Sequence, residues 1–401
     1  MAKKKSGRRG HLRFRHRVVR HLLAWTLGVY TRLKYRVRIH RYKEGKGPFL
    51  VLYNHQTAFD QFFVGLSFRE PVYYLASEDL FSMGFLSSVI RYLVAPIPIK
   101  KQTTDVSAVM SCLRVAREGG TVAIAPEGNR TYSGKTEYIN PAIVPLCRKM
   151  RLPLLLYRIE GGYGVHPRWA DKVRRGRMTA GVARTVSVEE MASLSDAALY
   201  ELICRELSVD EGNAEARFMG RALAEHLERA LYVCPDCGLS RFASKKNEIS
   251  CLNCGKKSTY LPTRELSGDF PFRFVGAWYD FQCDFINSHD FTSTREPLYT
   301  EQVKILRVIP YKKKEPLAAR ATIALYGDGI LLTHGGEASE YPFDALGAVT
   351  VLGKNKLDLY TEDGILQIVG DRSFNALKYV HLYHRYKNLK KGDANVKFLG
   401  L

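Results

Sequence analysis

Residues 49–60, FLVLYNHQTAFD, join a short apolar run to a histidine and an aspartate that stand five positions apart. The run 49–53 has the length and the continuous apolar character of a buried strand. The next apolar stretch, residues 61–68, predicts a helix, so the polar segment between them leads from the end of a strand into a helix. A junction of this kind, within a longer alternation of strands and helices, predicts an α/β domain.

The alternation of strands and helices extends over residues 47–232. Further strands are predicted at residues 72–76, 95–99, 121–125, 153–159 and 178–186. Further helices are predicted at residues 81–93, 106–118, 142–150, 188–207 and 214–231, and Ser187-x-x-Glu190 is a capping-box sequence. The sequence therefore predicts a domain with helices around a mostly parallel sheet.

His55 and Asp60 suit a general base and the carboxylate that orients it. An aspartate in the first helical turn can reach back to one ring nitrogen of His55, which fixes the tautomer and leaves the other nitrogen to accept a proton. A surface turn with a capping aspartate contains the same pair of residues. The pair by itself therefore leaves both interpretations open.

A second polar loop, residues 125–130 (APEGNR), also follows a predicted buried strand. Loops at the carboxyl ends of strands are where open α/β sheets bind ligands. Gly128 lets the backbone approach a ligand, and the planar guanidinium of Arg130 matches phosphate oxygens. A third strand end, residues 95–101 (APIPIKK), closes with paired lysines. Three strand ends thus bring together a base, a carboxylate loop and an anion clamp.

NHQTAFD followed by APEGNR resembles the glycerophospholipid acyltransferase family, whose signature is N-H-x4-D and then P-E-G-x-R. The resemblance covers roughly residues 10–230. It implies that His55 is the general base and Asp60 its partner. It also implies that the phosphate end of the acceptor binds to Lys101, Glu127, Gly128 and Arg130.

Three departures from the family pattern leave the acceptor open. Lys101 stands where the family usually has arginine, Asn129 replaces a common threonine, and residues 152–157 (LPLLLY) lack the second proline of the fourth motif. The resemblance implies transfer of a fatty acyl group from acyl-coenzyme A or acyl carrier protein to the sn-2 hydroxyl of 1-acylglycerol-3-phosphate. The product is phosphatidic acid, an intermediate of phospholipid biosynthesis. Glycerol-3-phosphate or another lysolipid is the alternative acceptor.

The positive charge of the chain is concentrated at its beginning. Residues 1–46 contain sixteen Lys and Arg and a single acid, Glu44, whereas the whole chain has a net charge of +21. Residues 1–10 are predicted to be disordered. Residues 11–35 mix arginine with leucine, phenylalanine and tryptophan at helical spacing, which is typical of a helix in the lipid interface and also of one packed on a domain. We predict that residues 1–46 bind an anionic membrane surface.

Two features predict where the protein acts. The apolar run 22–30 is about half the length that a bilayer-spanning helix needs, so membrane contact should be peripheral. Four further cysteines are scattered along the chain: Cys112, Cys147, Cys204 and Cys283. They are predicted to be buried thiols, which indicates a reducing compartment. The sequence thus predicts a cytoplasmic protein on the inner face of the membrane.

Residues 233–260 contain two C-x-x-C pairs, thirteen residues apart, each followed by glycine. Four thiolates at this spacing predict a structural Zn²⁺ site that resembles a zinc ribbon. The predicted ligands are Cys234, Cys237, Cys251 and Cys254. Iron in a rubredoxin-like site and a pair of disulfides are the alternatives.

The last part of the chain reads as a linker, residues 261–300, and an antiparallel domain, residues 301–401. Six short strands are predicted at 303–309, 320–326, 330–333, 348–352, 357–360 and 366–369, followed by one helix. This order resembles a pleckstrin-homology-like barrel.

A basic N-terminus, a zinc ribbon and a barrel also fit a nucleic-acid-binding protein. That alternative leaves NHQTAFD and APEGNR without a role, so nucleic acid is an unlikely partner.

Overall fold

The computed structural model describes residues 12–99, 105–309 and 312–392. The predicted disorder of residues 1–10 and the predicted ligand Lys101 lie outside these ranges. None of the described helices is both long enough and apolar enough to cross a membrane.

The first domain is an α/β sheet with helices on both faces, which confirms the predicted fold class. Its strands are β1 (Val37–Ile39), β2 (Leu50–Tyr53), β3 (Val72–Ser77), β4 (Ile97–Ile99), β5 (Thr121–Ile124), β6 (Leu154–Glu160) and β7 (Met178–Val186). Its helices are α1 (Phe14–Lys34), α2 (Asp60–Ser67), α3 (Phe85–Val94), α4 (Val106–Arg117), α5 (Ile143–Met150), α6 (Gly162–Val165), α7 (Val188–Ser193) and α8 (Asp196–Leu207). The strand order is β1-β7-β6-β2-β5-β3-β4, and only β6 and β7 pair antiparallel.

The central strand β2 is buried on both faces, as its continuous apolar sequence predicts. Leu50 and Leu52 join a hydrophobic cluster with α4, α5 and α8. Val51 and Tyr53, which point the opposite way, join a second cluster that includes Phe63 of α2. Since β2 and β5 are parallel neighbours, their carboxyl ends meet at one edge of the sheet. This edge carries both predicted loops.

Residues 214–231, which the sequence predicts as a helix, are mostly irregular, with a turn at residues 223–226 and a short 3-10 helix at Leu227–Arg229. Tertiary hydrogen bonds replace the helical ones. Met219 exchanges backbone hydrogen bonds with Arg175, and the Phe218 N–H donates to Pro262 O. The helical prediction is therefore wrong here, because long-range pairing overrides the local preference.

The cysteine module is built from short antiparallel strands. They are β8 (Val233–Cys234), β9 (Gly238–Leu239), β10 (Phe242–Lys245), β11 (Glu248–Cys251), β12 (Lys257–Tyr260) and β13 (Leu266–Gly268). Residues 261–300 are more than the predicted linker, because they contain β13 and the helix α9 (Val275–Ser288). Trp278 of α9 is fully buried against Phe270 and Phe272. The aromatic residues of this stretch thus form core.

The C-terminal domain is a curled antiparallel sheet, a half-barrel, with one helix packed against it. Its strands are β14 (Tyr299–Val308), β15 (Glu315–Leu325), β16 (Gly329–His334), β17 (Glu337–Pro342), β18 (Ala348–Leu352), β19 (Lys356–Thr361) and β20 (Gly364–Val369), and its helix is α10 (Leu377–Lys390). The order is β17-β16-β15-β14-β20-β19-β18, so the sheet ends at β17 and β18. The sequence missed β17 because this edge strand is polar and largely exposed.

Candidate active site

His55 follows β2, and Asp60 is the first residue of α2. His55 Nδ1 lies 2.8 Å from Asp60 Oδ2. The side chain of Asp60 is fully buried, whereas 21% of the His55 side chain is exposed. If Nδ1 donates to the carboxylate, Nε2 is the acceptor nitrogen. The pair therefore has the geometry of a general base and its orienting carboxylate.

Four further hydrogen bonds fix the carboxylate of Asp60. Its Oδ2 accepts the backbone N–H groups of Gln56, at 2.6 Å, and Thr57, at 2.9 Å. Its Oδ1 accepts the Thr57 N–H at 3.0 Å and the Thr57 hydroxyl at 2.6 Å. The loop before α2 thus folds around its own aspartate, and the local spacing is sufficient to build the site.

The surroundings keep His55 neutral. Burial lowers the pKa of His55 below its ordinary value of 6.5, whereas the hydrogen bond to Asp60 raises it. The positive charges of Arg130 and Arg168 lower the pKa further. Burial dominates, so the imidazole stays unprotonated near neutral pH and is able to accept a proton.

The carboxyl group of Glu127 is buried against the backbone of His55. Its Oε1 accepts the His55 backbone N–H at 2.6 Å, and its Oε2 accepts the Glu137 N–H at 2.7 Å. The Thr131 N–H donates to His55 O at 3.2 Å, on the other side of the same residue. Burial raises the pKa of Glu127 well above its ordinary value. Glu127 therefore positions the backbone of His55, and its contact with the phosphate end of the acceptor stays a prediction.

Gly128 and Arg130 occupy the loop after β5. Gly128 has a φ of 71° and donates its N–H to Ala125 O, so this N–H is already used within the loop. Arg130 is half-buried, and its Nη1 is buried without a hydrogen-bond partner in the described chain. Burial lowers the pKa of Arg130 to about 10, and the charge of Arg168 contributes. Arg130 thus offers an unused donor near His55.

His166 is a second unused donor, which the sequence did not indicate. It follows α6, it is 8% exposed, and its Nδ1 lies 3.3 Å from the Tyr35 hydroxyl. Its Nε2 is buried without a partner among the described residues. Burial lowers the pKa of His166 to about 3, and the charges of Lys354 and Arg130 act in the same direction. If the Tyr35 hydroxyl donates to Nδ1 of His166, the ring hydrogen of His166 is on Nε2, and no described residue accepts it.

The half-barrel contacts this edge through the turn between β18 and β19. Arg168 is buried and donates Nη1 to Arg130 O at 2.8 Å, Nε to Gly353 O at 3.2 Å and Nη2 to Val351 O at 3.3 Å. Lys354 donates to Ala170 O at 2.6 Å and to Asp171 at 3.0 Å. The C-terminal sheet therefore braces the loop that carries Arg130. Contacts between residues about 185 positions apart leave no local signal in a sequence.

The four predicted metal ligands lie together. Their Sγ atoms are within 4.8 Å of one another, and those of Cys234 and Cys254 are 3.8 Å apart. Zn–S bonds of about 2.3 Å in a tetrahedron separate the sulfurs by about 3.8 Å. All four are free thiols, and Gly238 and Gly255 turn the chain with φ values of 69° and 76°. Donor set and spacing fit a structural Zn²⁺ ion.

Comparisons with known proteins find one family match and remote structural similarities. Residues 34–158 match the family model described as Acyltransferase. No curated protein matches the chain. The structure is similar to the 1-acyl-sn-glycerophosphate (LPA) acyltransferase PlsC from Thermotoga maritima, with a TM-score of 0.40 and 20% identity over 49% of this chain and 82% of that one.

A second solved structure is similar to the C-terminal part. It is the N-terminal PH domain of the human ARAP2 protein, with a TM-score of 0.19 and 11% identity over 23% of this chain and 80% of that one. Both likenesses are remote. The family match covers the segment that carries His55, Asp60 and Arg130.

Proposed function

We propose that the protein transfers a fatty acyl group from a thioester donor to the sn-2 hydroxyl of 1-acylglycerol-3-phosphate, with His55 as general base. The observation that carries the proposal is a neutral, partly exposed imidazole held by Asp60 on the same sheet edge as Arg130. The donor is acyl-coenzyme A or acyl carrier protein. Glycerol-3-phosphate or another lysolipid is the alternative acceptor.

In this mechanism the acceptor hydroxyl donates a hydrogen bond to His55 Nε2. The hydroxyl oxygen attacks the thioester carbonyl carbon while its proton moves to Nε2. The carbon–sulfur bond then breaks, and the imidazolium returns the proton to the leaving thiolate. The products are the new ester and a free thiol, and His55 is neutral again. Asp60 holds the imidazole and stabilises its charged form.

The phosphate of the acceptor is proposed to bind to Arg130 Nη1 and His166 Nε2. Both atoms are buried donors without a protein partner in the described chain, which is an unfavourable state unless a ligand pairs with them. Arg168 positions Arg130 through its backbone carbonyl. An acceptor panel tests the assignment: 1-acylglycerol-3-phosphate, glycerol-3-phosphate, a choline lysophospholipid and phosphate-free monoacylglycerol. Preference for the phosphate-free lipid would overturn it.

Replacing Arg130 with alanine should raise the acceptor KM at least tenfold. A charge-assisted contact is worth about 1.5–3 kcal/mol, and each 1.4 kcal/mol is a factor of about ten. Steady-state kinetics with 1-acylglycerol-3-phosphate measure the change. Arg117→Ala, at an exposed arginine of α4, is the control. An unchanged acceptor KM in Arg130→Ala, with only the donor KM raised, would contradict this role.

We also propose that α1 and α3 rest on an anionic membrane. α1 exposes an apolar stripe at helical spacing, Phe14, Val18, Leu22, Trp25, Val29 and Leu33, and α3 exposes Phe85, Leu86 and Tyr92. The two helices are in contact, with Arg15 lying over the ring of Tyr92 at 4.1 Å. A large exposed apolar face on a basic segment is typical of an interfacial helix.

Leu22→Ser combined with Trp25→Ser should lower vesicle binding at least tenfold. Both side chains are exposed, so the fold should be retained, and each loses about 1.5–3 kcal/mol of apolar burial in the lipid. Flotation with anionic vesicles measures the loss. Leu252→Ser, at an exposed leucine of the cysteine module, is the matched control. Equal flotation of wild type and the double variant would exclude the α1 surface.

The cysteine module is proposed to hold one structural Zn²⁺ per chain. Cys251→Ser combined with Cys254→Ser should reduce the zinc content from about one to nearly zero, because two thiolates no longer close a tetrahedral site. Metal analysis of freshly purified, reduced protein measures this. Cys204→Ser, outside the cluster, should keep its zinc. Iron in the wild-type protein would contradict the assignment.

A further inference from the structure

A concave surface of about 760 Å³ lies between α1, β1, the segment after β1 and the end of α2. We call it the basic groove. Seven of its lining side chains are Lys or Arg, and no Asp or Glu lines it. The cations come from four places in the chain: Arg20 and Arg32 on α1, Arg36 and Arg38 at β1, Arg41 and Lys43 after it, and Arg69 after α2. No carboxylate among the lining residues thus neutralises the positive charge of the groove.

Within residues 12–99, 105–309 and 312–392, none of the seven cations of the basic groove forms an ion pair with a carboxylate. Arg20 is partly buried: one Nη donates to Phe68 O, while its Nε is buried without a partner among the described residues. Burial lowers the pKa of Arg20 and the nearby charge of Arg41 lowers it further, whereas the charge of Glu70, which forms an ion pair with Arg17, raises it. Like charges held together in a concave site attract an anionic ligand.

The position of the groove relies on how α1 packs. Tyr30 near the end of α1 packs on Phe59 at the start of α2, with ring centroids 5.5 Å apart, whereas Arg20 reaches Phe68 just beyond the end of α2. The two helices therefore run antiparallel, and α2 lines the groove with Leu66 and Ser67 at its end. Arg36 directly follows Tyr35, which contacts His166. One end of the groove thus lies near the edge of the sheet that carries His55 and Arg130.

The groove and the apolar stripe lie on different faces of α1. Arg20, Ala24 and Gly28 line the groove. Val18 and Leu22 of the stripe are two positions from Arg20, a rotation of about 200° on a helix. If the stripe faces the bilayer, the groove faces away from the lipid headgroups beneath it. A soluble anion is therefore a better match than a lipid headgroup.

We propose that the basic groove binds the phosphate groups at the nucleotide end of a coenzyme A thioester, which makes acyl-coenzyme A, and not acyl carrier protein, the donor. This inference rests on the acyl transfer proposed above. The nucleotide end carries several phosphate charges, and the volume of the groove is within the usual range for small-molecule sites, about 300–1,000 Å³. The pantetheine arm then extends from the groove to the thioester at His55. A carrier protein would instead need a broad complementary surface.

Equilibrium binding of coenzyme A to the full chain tests the groove without any turnover. The triple variant Arg36→Ala, Arg41→Ala, Arg69→Ala should weaken binding at least about thirtyfold in calorimetry, since each lost charge-assisted contact is worth about tenfold or more. The control triple, Arg114→Ala, Arg117→Ala, Arg221→Ala, removes the same charge from exposed sites elsewhere and should change binding less than about threefold. Equal effects of both triples, or none, would overturn the proposal.

Kinetics distinguish the remaining sources of the anion. The groove triple should raise the KM for acyl-coenzyme A and leave the KM for an acyl-pantetheine, which lacks the nucleotide, unchanged. If the groove triple no longer floats with vesicles but binds coenzyme A normally, the groove binds lipid headgroups and the proposal is overturned. A raised KM for acyl carrier protein alone would also overturn it. His55→Ala should bind coenzyme A as tightly as wild type. If the wild-type protein binds coenzyme A through the groove cations but transfers no acyl group, the proposed function is rejected and the groove proposal is retained.

Discussion

His55→Ala is expected to lower kcat at least a hundredfold, and up to about ten-thousandfold, with the fold and the zinc content unchanged. This is the usual range for the loss of a general base. The imidazole makes its side-chain hydrogen bond to Asp60, at the edge of the sheet, and packs edge-on to Tyr53. Its removal should therefore affect catalysis much more than stability. Rates of thiol release with saturating donor and acceptor measure the effect.

The pH profile of the wild type provides a second readout of His55. The proposed mechanism requires the neutral imidazole, so kcat/KM should fall on the acid side as His55 becomes protonated. Because burial lowers the pKa of His55, this fall should occur below pH 6.5. His40→Ala, at an exposed histidine after β1, should retain the rate and the profile. Turnover of His55→Ala within tenfold of wild type would reject His55 as the base.

Asp60→Asn is expected to have the second largest effect, a loss of about a hundredfold or more in kcat. The carboxylate accepts hydrogen bonds from His55, from two backbone N–H groups and from the Thr57 hydroxyl. An amide has one acceptor oxygen, and its NH₂ group would face donors. The imidazole would lose the partner that fixes its tautomer. The buried NH₂ group of the asparagine, which faces other donors, should lower the free energy of unfolding by about 1–3 kcal/mol.

The pH dependence of Asp60→Asn separates a catalytic role from a structural one. The hydrogen bond that His55 donates to Asp60 raises the pKa of His55, so its loss should move the acid limb to lower pH. A merely less stable protein would not show this shift. Asp105→Asn is the control, because its side chain caps α4 and asparagine caps equally well. Full activity in folded Asp60→Asn protein would contradict the account.

The parts of the fold that were predictable are those with local signals. β2 and β5 are buried on both faces, so they read as apolar runs, and their polar continuations bring His55 and Arg130 to one edge. Ser187 caps α7 by accepting the Glu190 N–H, as its capping-box sequence indicates. The cysteine spacing likewise predicted the cluster of four Sγ atoms.

The parts that were not predictable depend on long-range contacts. His166 is held by Tyr35, which is 131 positions away, and Arg168 is held by the half-barrel residues Val351 and Gly353. The role of Glu127 depends on the backbone of a residue 72 positions away. The aromatic stretch before α9 looked like a linker because its partners are elsewhere in the chain. β17 is a polar edge strand without apolar alternation. Local patterns contain no information on such pairings.

The most direct test of acyl transfer is thiol release from acyl-coenzyme A by purified wild-type protein on anionic vesicles, with and without 1-acylglycerol-3-phosphate. We expect release only when the acceptor is present, with one phosphatidic acid formed for each thiol. Phosphate-free monoacylglycerol should give much slower release. Thiol release at the same rate without any acceptor would identify a hydrolase and contradict acyl transfer through His55.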